Sequence, residues 1–218
     1  MGGLLVSLIP ELIGLVVTPG AIAGCVLLLL SRRGVRAALA FGAAFVLVYA
    51  QVAVTALLAG AGGPAATTQT VAHIAGLVVG VGFLAAAGLL AARRRRPREG
   101  EPRWIEELES ATVRRAFVAG LALAILNPNL AIMMAGMTII ASSDAGAGAA
   151  ALGAVALLVA AALDFAVPIA VFLAAGPAAR NALERAKDWM LAHDRALSIA
   201  VLTGFGVLFT VRGLTALL

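Results

Sequence analysis

Six stretches of this chain are long and apolar enough to cross a bilayer, at about residues 4–30, 37–59, 71–92, 112–141, 147–175 and 196–217. A helical span needs ~20 such residues. Inside lipid nothing but the chain itself satisfies backbone N–H and C=O groups, so spans of this length read as helices. Composition agrees, with 62% hydrophobic residues, 12% charged residues and a mean hydropathy of +1.06. The expected fold is therefore an all-α integral membrane protein with six transmembrane helices. The single Cys25 excludes an internal disulfide and a dithiol redox pair. It follows Ile22-Ala23-Gly24, which has the shape of a lipoprotein cleavage site, but Glu11 stands where a basic leader would be needed. A thiol buried between helices is the expected alternative. Two histidines, His73 and His193, are too few for a histidine-built metal site. No nucleophile–base–acid set and no phosphate-binding glycine loop is present, so neither an enzyme nor a cofactor is expected.

The basic residues fix an orientation. With six spans, the segments after spans one, three and five lie on one side of the membrane. They hold every Lys and Arg of the chain except Arg212, including Arg32, Arg33, Arg36, the run Arg93 to Arg96, Arg114, Arg115, Arg180, Arg185 and Arg195. Positive loops stay inside, which places these segments in the cytoplasm and both termini outside. This placement accounts for the net charge of +5 without a nucleic-acid partner. Two polar segments carry the only tryptophans, Trp104 and Trp189, and both read as helices on the membrane surface. One lies in the basic linker 93–111, and the other is Pro177 to Ala192.

Two polar triplets interrupt the apolar pattern. Span one contains Thr18-Pro19-Gly20, and span four contains Asn127-Pro128-Asn129. Proline removes a backbone donor and clashes with the preceding turn, so each triplet breaks its helix. Each is followed by an apolar run that ends at a serine, Ser31 or Ser142, with Gly34 or Gly146 shortly after. The next spans end in Ala-Gly, at Gly60 and Gly176. The chain thus reads as two three-helix repeats, 1–92 and 112–218, joined by a cytoplasmic linker at 93–111. An odd number of spans per repeat inverts one against the other. Inverted repeats with broken first helices are a transporter design, with the site at the breaks near the midplane. Thr18, Pro19, Gly20, Asn127, Pro128 and Asn129 are the candidate translocation residues, and Tyr49 and Gln51 in span two are read as facing the same cavity.

With this pattern the sequence resembles the lysine exporter (LysE) superfamily, over essentially the whole chain. Within it, the sequence is similar to the GAP/Sap branch, the peptidoglycolipid- and sulfolipid-addressing proteins of actinobacteria. The resemblance implies export of a cell-envelope glycolipid across the plasma membrane, with membrane lipids, the amphiphilic glycolipid and a homodimer or larger lipid-export complex as partners. Where the amino-acid exporters carry Pro-Gly-Pro and Asn-Pro-Lys, this chain has Pro19-Gly20-Ala21 and Asn127-Pro128-Asn129. The intramembrane lysine is absent, which moves the expectation away from an amino-acid cargo. A small-solute exporter of the same fold and a non-transporting accessory factor are the alternatives.

Three ionisable residues fall within spans, where charge is costly and usually functional. Glu11 and Arg212 lie at similar depth, on the order of 10 Å from the outer face. They are expected to pair or to line an outward vestibule. Asp164 lies near mid-span, too deep to reach water, and is the candidate for taking and releasing protons during transport.

Overall fold

The computed structural model describes residues 2–16, 18–60, 66–92, 111–143 and 146–217, and among them every regular element is an α-helix. In chain order these are α1 (Gly2–Val16), α2 (Pro19–Leu30), α3 (Gly34–Gly60), α4 (Ala66–Ala92), α5 (Val113–Leu126), α6 (Asn129–Ser142) and α7 (Ala147–Leu217). The elements stop where the sequence supplies stop signals. Pro19 opens α2 at its first position, where a missing N–H costs nothing. Ser31 ends α2 by bonding back to the Leu28 carbonyl through both its hydroxyl, at 2.6 Å, and its amide, at 3.2 Å. Gly34 follows with a φ of +46°, a left-handed turn that a Cβ would strain. Thr112 caps α5 by accepting from the Arg115 amide at 3.3 Å.

Among the described residues, three stretches are each long and apolar enough to cross a membrane alone: Gly34–Leu58, Ala147–Ala175 and Arg195–Thr215. Two bent pairs pass the same test together, α1 with α2 at 44° and α5 with α6 at 62°. The protein is a multi-pass helical bundle with three to five candidate spans by this measure. In α4 the apolar stretch Leu77–Ala92 is shorter. Outward faces are hydrocarbon, with Leu58, Leu126, Val78 and Leu173 all exposed.

Helix α7 departs from the expected outline. The sequence pattern ends span five at Gly176 and makes Pro177 to Ala192 a separate surface helix. In the structure all 71 residues from Ala147 to Leu217 are one helical element. A straight helix of that length would measure ~107 Å. Yet Gly153 packs beside Leu8, and Arg212 bonds the Ser7 carbonyl one residue away. A straight helix would hold those two positions ~90 Å apart. Helix α7 therefore reverses between its two apolar stretches, which act as two arms. The first arm packs on α2, α3 and α6, and the second runs against α4. Arg195 closes the return by donating to the Ala91 carbonyl at 2.8 Å, in the last turn of α4. Within the return, Leu183 is buried and Trp189 is exposed, stacked on His193 at 4.8 Å.

The core lies between α3 and the first arm. Phe41, Phe45 and Phe165 form a buried triangle with ring centroids 5.0 to 5.8 Å apart, and Tyr49 extends it edge-on to Phe45 at 6.1 Å. Elsewhere helices touch backbone to backbone. A Cβ at Gly120 of α5 would fall 2.6 Å from the Phe41 carbonyl oxygen of α3, and one at Gly80 of α4 would fall 2.5 Å from the Thr210 amide. Without hydrophobic attraction between helices in lipid, such small-residue contacts are how they gain packing energy. The linker at 93–110, with Trp104, its expected surface helix and the Arg93 to Arg96 run, lies outside the described residues.

Candidate functional site: two helix breaks in contact

The first break leaves carbonyls without partners, because the last turn of α1 has no helical N–H beyond it. Two side chains meet that need. The Thr18 hydroxyl donates to the Leu15 carbonyl at 3.3 Å, and the Asn129 amide donates to the Gly14 carbonyl at 3.2 Å. The second break supplies Asn129 already aimed. Asn127 leaves α5 in extended conformation, and its side-chain oxygen accepts from the Asn129 amide at 2.9 Å. That bond satisfies the first backbone N–H of α6, while Pro128, lacking a donor, turns the chain into it. Asn129 then also donates from its side chain to the Thr18 hydroxyl, so the two breaks are directly joined. Asn129 and Thr18 are only 2% and 5% exposed.

Asp164 of the first α7 arm completes the cluster. It is 4% exposed, and among the described residues its Oδ1 has no hydrogen-bond partner. The Thr18 hydroxyl and amide face its carboxylate, and Cys25 and Tyr49 lie within electrostatic range. The single hydroxyl proton of Thr18 thus has two competing acceptors, Leu15 O and Asp164. Cys25 is fully buried, with its thiol 4.0 Å from the Phe165 carbonyl. Tyr49 is buried beside this group, but Gln51 is exposed. The expectation that both face one cavity is corrected here, because residues two apart on a helix point ~160° apart.

From the buried pair the site reaches the surface of the bundle in one step. Pro19 is half-buried, and Gly20 and Pro128 are exposed. Around Gly20 no heavy atom lies within 4 Å of where a Cβ would stand. Among the described residues Leu126, just before the second break, is the most exposed large apolar side chain.

A second polar site lies about a turn below Gly14 on α1. Glu11, fully buried, forms an ion pair with Arg212 of the second α7 arm. Arg212 also reaches the Ser7 carbonyl at 3.5 Å, and its side chain is 38% exposed. Among the described residues the Glu11 Oε2 has no hydrogen-bond partner. Sequence reasoning did not find the Gly14 and Ser7 carbonyls or Cys25. Backbone acceptors carry no sequence signal beyond their position in the last turn before a break, and a lone cysteine among Ala and Leu looks like packing.

The sequence profile described as Sap, sulfolipid-1-addressing protein (SfLAP) matches residues 12–215. The chain belongs to the SfLAP family. The SfLAP match takes in both breaks, Asp164 and Arg212, and starts one residue after Glu11. No curated protein and no solved structure matches the chain.

Proposed function

We propose that this SfLAP protein moves an amphiphilic, sulfolipid-type envelope glycolipid across the plasma membrane. The observation that carries the reading is the buried Asn129–Thr18 junction, which joins two helix breaks one step from the surface of the bundle. A polar headgroup needs a wet or hydrogen-bonding path through hydrocarbon. Its acyl chains need none, so a polar site open at its side to lipid suits such a cargo better than a sealed cavity does. The family description, sulfolipid-1-addressing protein, supports the lipid class. The missing lysine after Asn127-Pro128 counts against an amino-acid cargo.

In this reading the bent pairs are spans one and four, α4 is span three, and α7 supplies spans five and six. Two inverted three-helix repeats, 1–92 and 112–218, then meet at their breaks. Basic segments face the cytoplasm, and both termini lie outside. Asp164 holds and releases a proton as the headgroup passes, because its buried Oδ1 has no hydrogen-bond partner among the described residues and Thr18 offers it a switchable donor. The cargo leaves chemically unchanged.

Reconstitution tests this. Purified protein in liposomes is expected to move a fluorescent sulfated glycolipid between leaflets without any other protein, and the lipid should be recovered intact. Movement that appears only after a separate pump is added would establish an accessory role instead. Equal movement of free amino acids would favour a small-solute exporter.

A further inference from the structure

The Glu11–Arg212 pair has an unusual asymmetry. The Glu11 side chain is fully buried, whereas the Arg212 side chain is 38% exposed. Arg212 uses Nη1 for Glu11 and Nη2 for the Ser7 carbonyl, which leaves donors of its planar fork directed elsewhere. The sequence neighbours of Arg212 and Ser7 are apolar and exposed, Val211 on α7 and Val6 on α1. A partly exposed arginine next to exposed apolar side chains fits one ligand chemistry, an anionic sulfate or phosphate ester with an alkyl tail. The fork meets the tetrahedral anion with paired hydrogen bonds, and the tail lies on the apolar rim.

We propose that Arg212 is an anionic-headgroup subsite that exchanges Glu11 for a sulfate or phosphate ester, and that Glu11 takes up a proton when it is released. The second half follows from the first. A carboxylate with no water and no counter-ion is too costly to keep charged in this place. Among the described residues its Oε2 has no hydrogen-bond partner and Arg212 is the cation that faces it. Among the described residues, the elements packed most closely on α1 are α6 and α7. Helix α6 has no titratable side chain, and α7 offers Arg212 here and Asp164 at the far end, against Thr18. When the anion takes Arg212, the carboxylate gains a proton from the aqueous phase, so one negative charge arrives with one proton. The inference rests on the lipid-transport reading only for the choice of an amphiphile.

Calorimetric titration of the purified protein in zwitterionic nanodiscs tests it, with decyl sulfate below its micellar range as probe. Decanol and inorganic sulfate are the controls. Repeating the titration in two buffers of different ionisation enthalpy reads the protons exchanged. Decyl sulfate is expected to bind at least tenfold more tightly than either control, with uptake of about one proton per anion near neutral pH. Arg212→Gln should weaken binding about tenfold or more, and Arg212→Lys, which keeps charge but loses the fork, should fall between. Should Arg212→Gln not fold with Glu11 stranded, the paired variant Glu11→Gln/Arg212→Gln replaces it. Glu11→Gln alone removes the competitor, so it should bind more tightly than the natural protein and take up no proton. Unchanged binding in a folded Arg212 variant would overturn the proposal, as would weaker binding or persistent proton uptake in Glu11→Gln. Inorganic sulfate binding as well as decyl sulfate would overturn the lipid assignment. Since binding is read without transport, a protein that moves lipid but fails these titrations loses this subsite and keeps its function.

Discussion

If the two helix breaks are held together by Asn129 and Thr18, their substitutions must be energetically coupled. Asn129→Leu keeps volume and removes two hydrogen bonds, to Gly14 O and to Thr18 Oγ1. Thr18→Val keeps shape and removes two, to Leu15 O and from Asn129. Side-chain hydrogen bonds inside membrane proteins average ~0.6 kcal/mol and reach ~1.7 kcal/mol. Each single variant should therefore lose ~1.2 kcal/mol on the average value. The double variant loses three bonds rather than four, because one is shared. It should lose ~1.8 kcal/mol, against ~2.4 kcal/mol for independent sites. The coupling is ~0.6 kcal/mol, rising toward ~1.7 kcal/mol if the shared bond is of the strong kind. Reversible unfolding in mixed micelles, followed by circular dichroism, measures all four proteins. Additivity within ~0.3 kcal/mol would mean that the breaks do not touch, and the case for one joint site would fail.

Three further outcomes are expected. Asp164→Asn should leave protein level and unfolding unchanged within about 1 kcal/mol while abolishing lipid movement in liposomes; undiminished movement would remove Asp164 from the coupling role. Gly120→Ala should lower stability by ~1–3 kcal/mol because its Cβ meets the Phe41 carbonyl, whereas Gly82→Ala, with nothing within 4 Å, should be neutral or slightly stabilising. Thermal melts in detergent compare them. Buried Cys25 should not react with a membrane-impermeant maleimide in intact cells, so it gives a silent background for Ser31→Cys and Gly146→Cys. Those two should label from opposite faces of the membrane, Ser31→Cys only after the cytoplasmic side is opened, and labelling from the same face would contradict the proposed orientation.

How much of this was readable beforehand differs from residue to residue. Apolar block length settles the helical membrane class, because lipid permits little else. The prolines at 19 and 128 mark the bends, because a missing N–H and a ring clash act locally. Glu11 and Arg212 are matched by counting rise per residue, and the structure joins them as an ion pair. The contact of Asn129 with Gly14 spans 115 residues and depends on how two bends nest, which no local pattern encodes. Gln51 was misplaced by treating depth as sufficient, when direction around the helix decides what a side chain faces. Helix α7 was cut at Gly176-Pro177, since both residues weaken a helix; in the structure the helical element continues through them.

The glycine contacts described for the fold have a mechanical consequence. Gly80, Gly206 and Gly213 bring α4 and the second arm of α7 together with almost no side chain between them, and Gly120 does the same for α5 and α3. Pairs meshed at backbone distance have no slack for sliding or rolling, so each behaves as a single beam. Compliance is left to the places where helical continuity is already lost, at Thr18-Pro19 and at Asn127-Pro128. A machine with two stiff beams and two hinges, whose hinges share one bolt at Asn129, cannot flex at one hinge without loading the other.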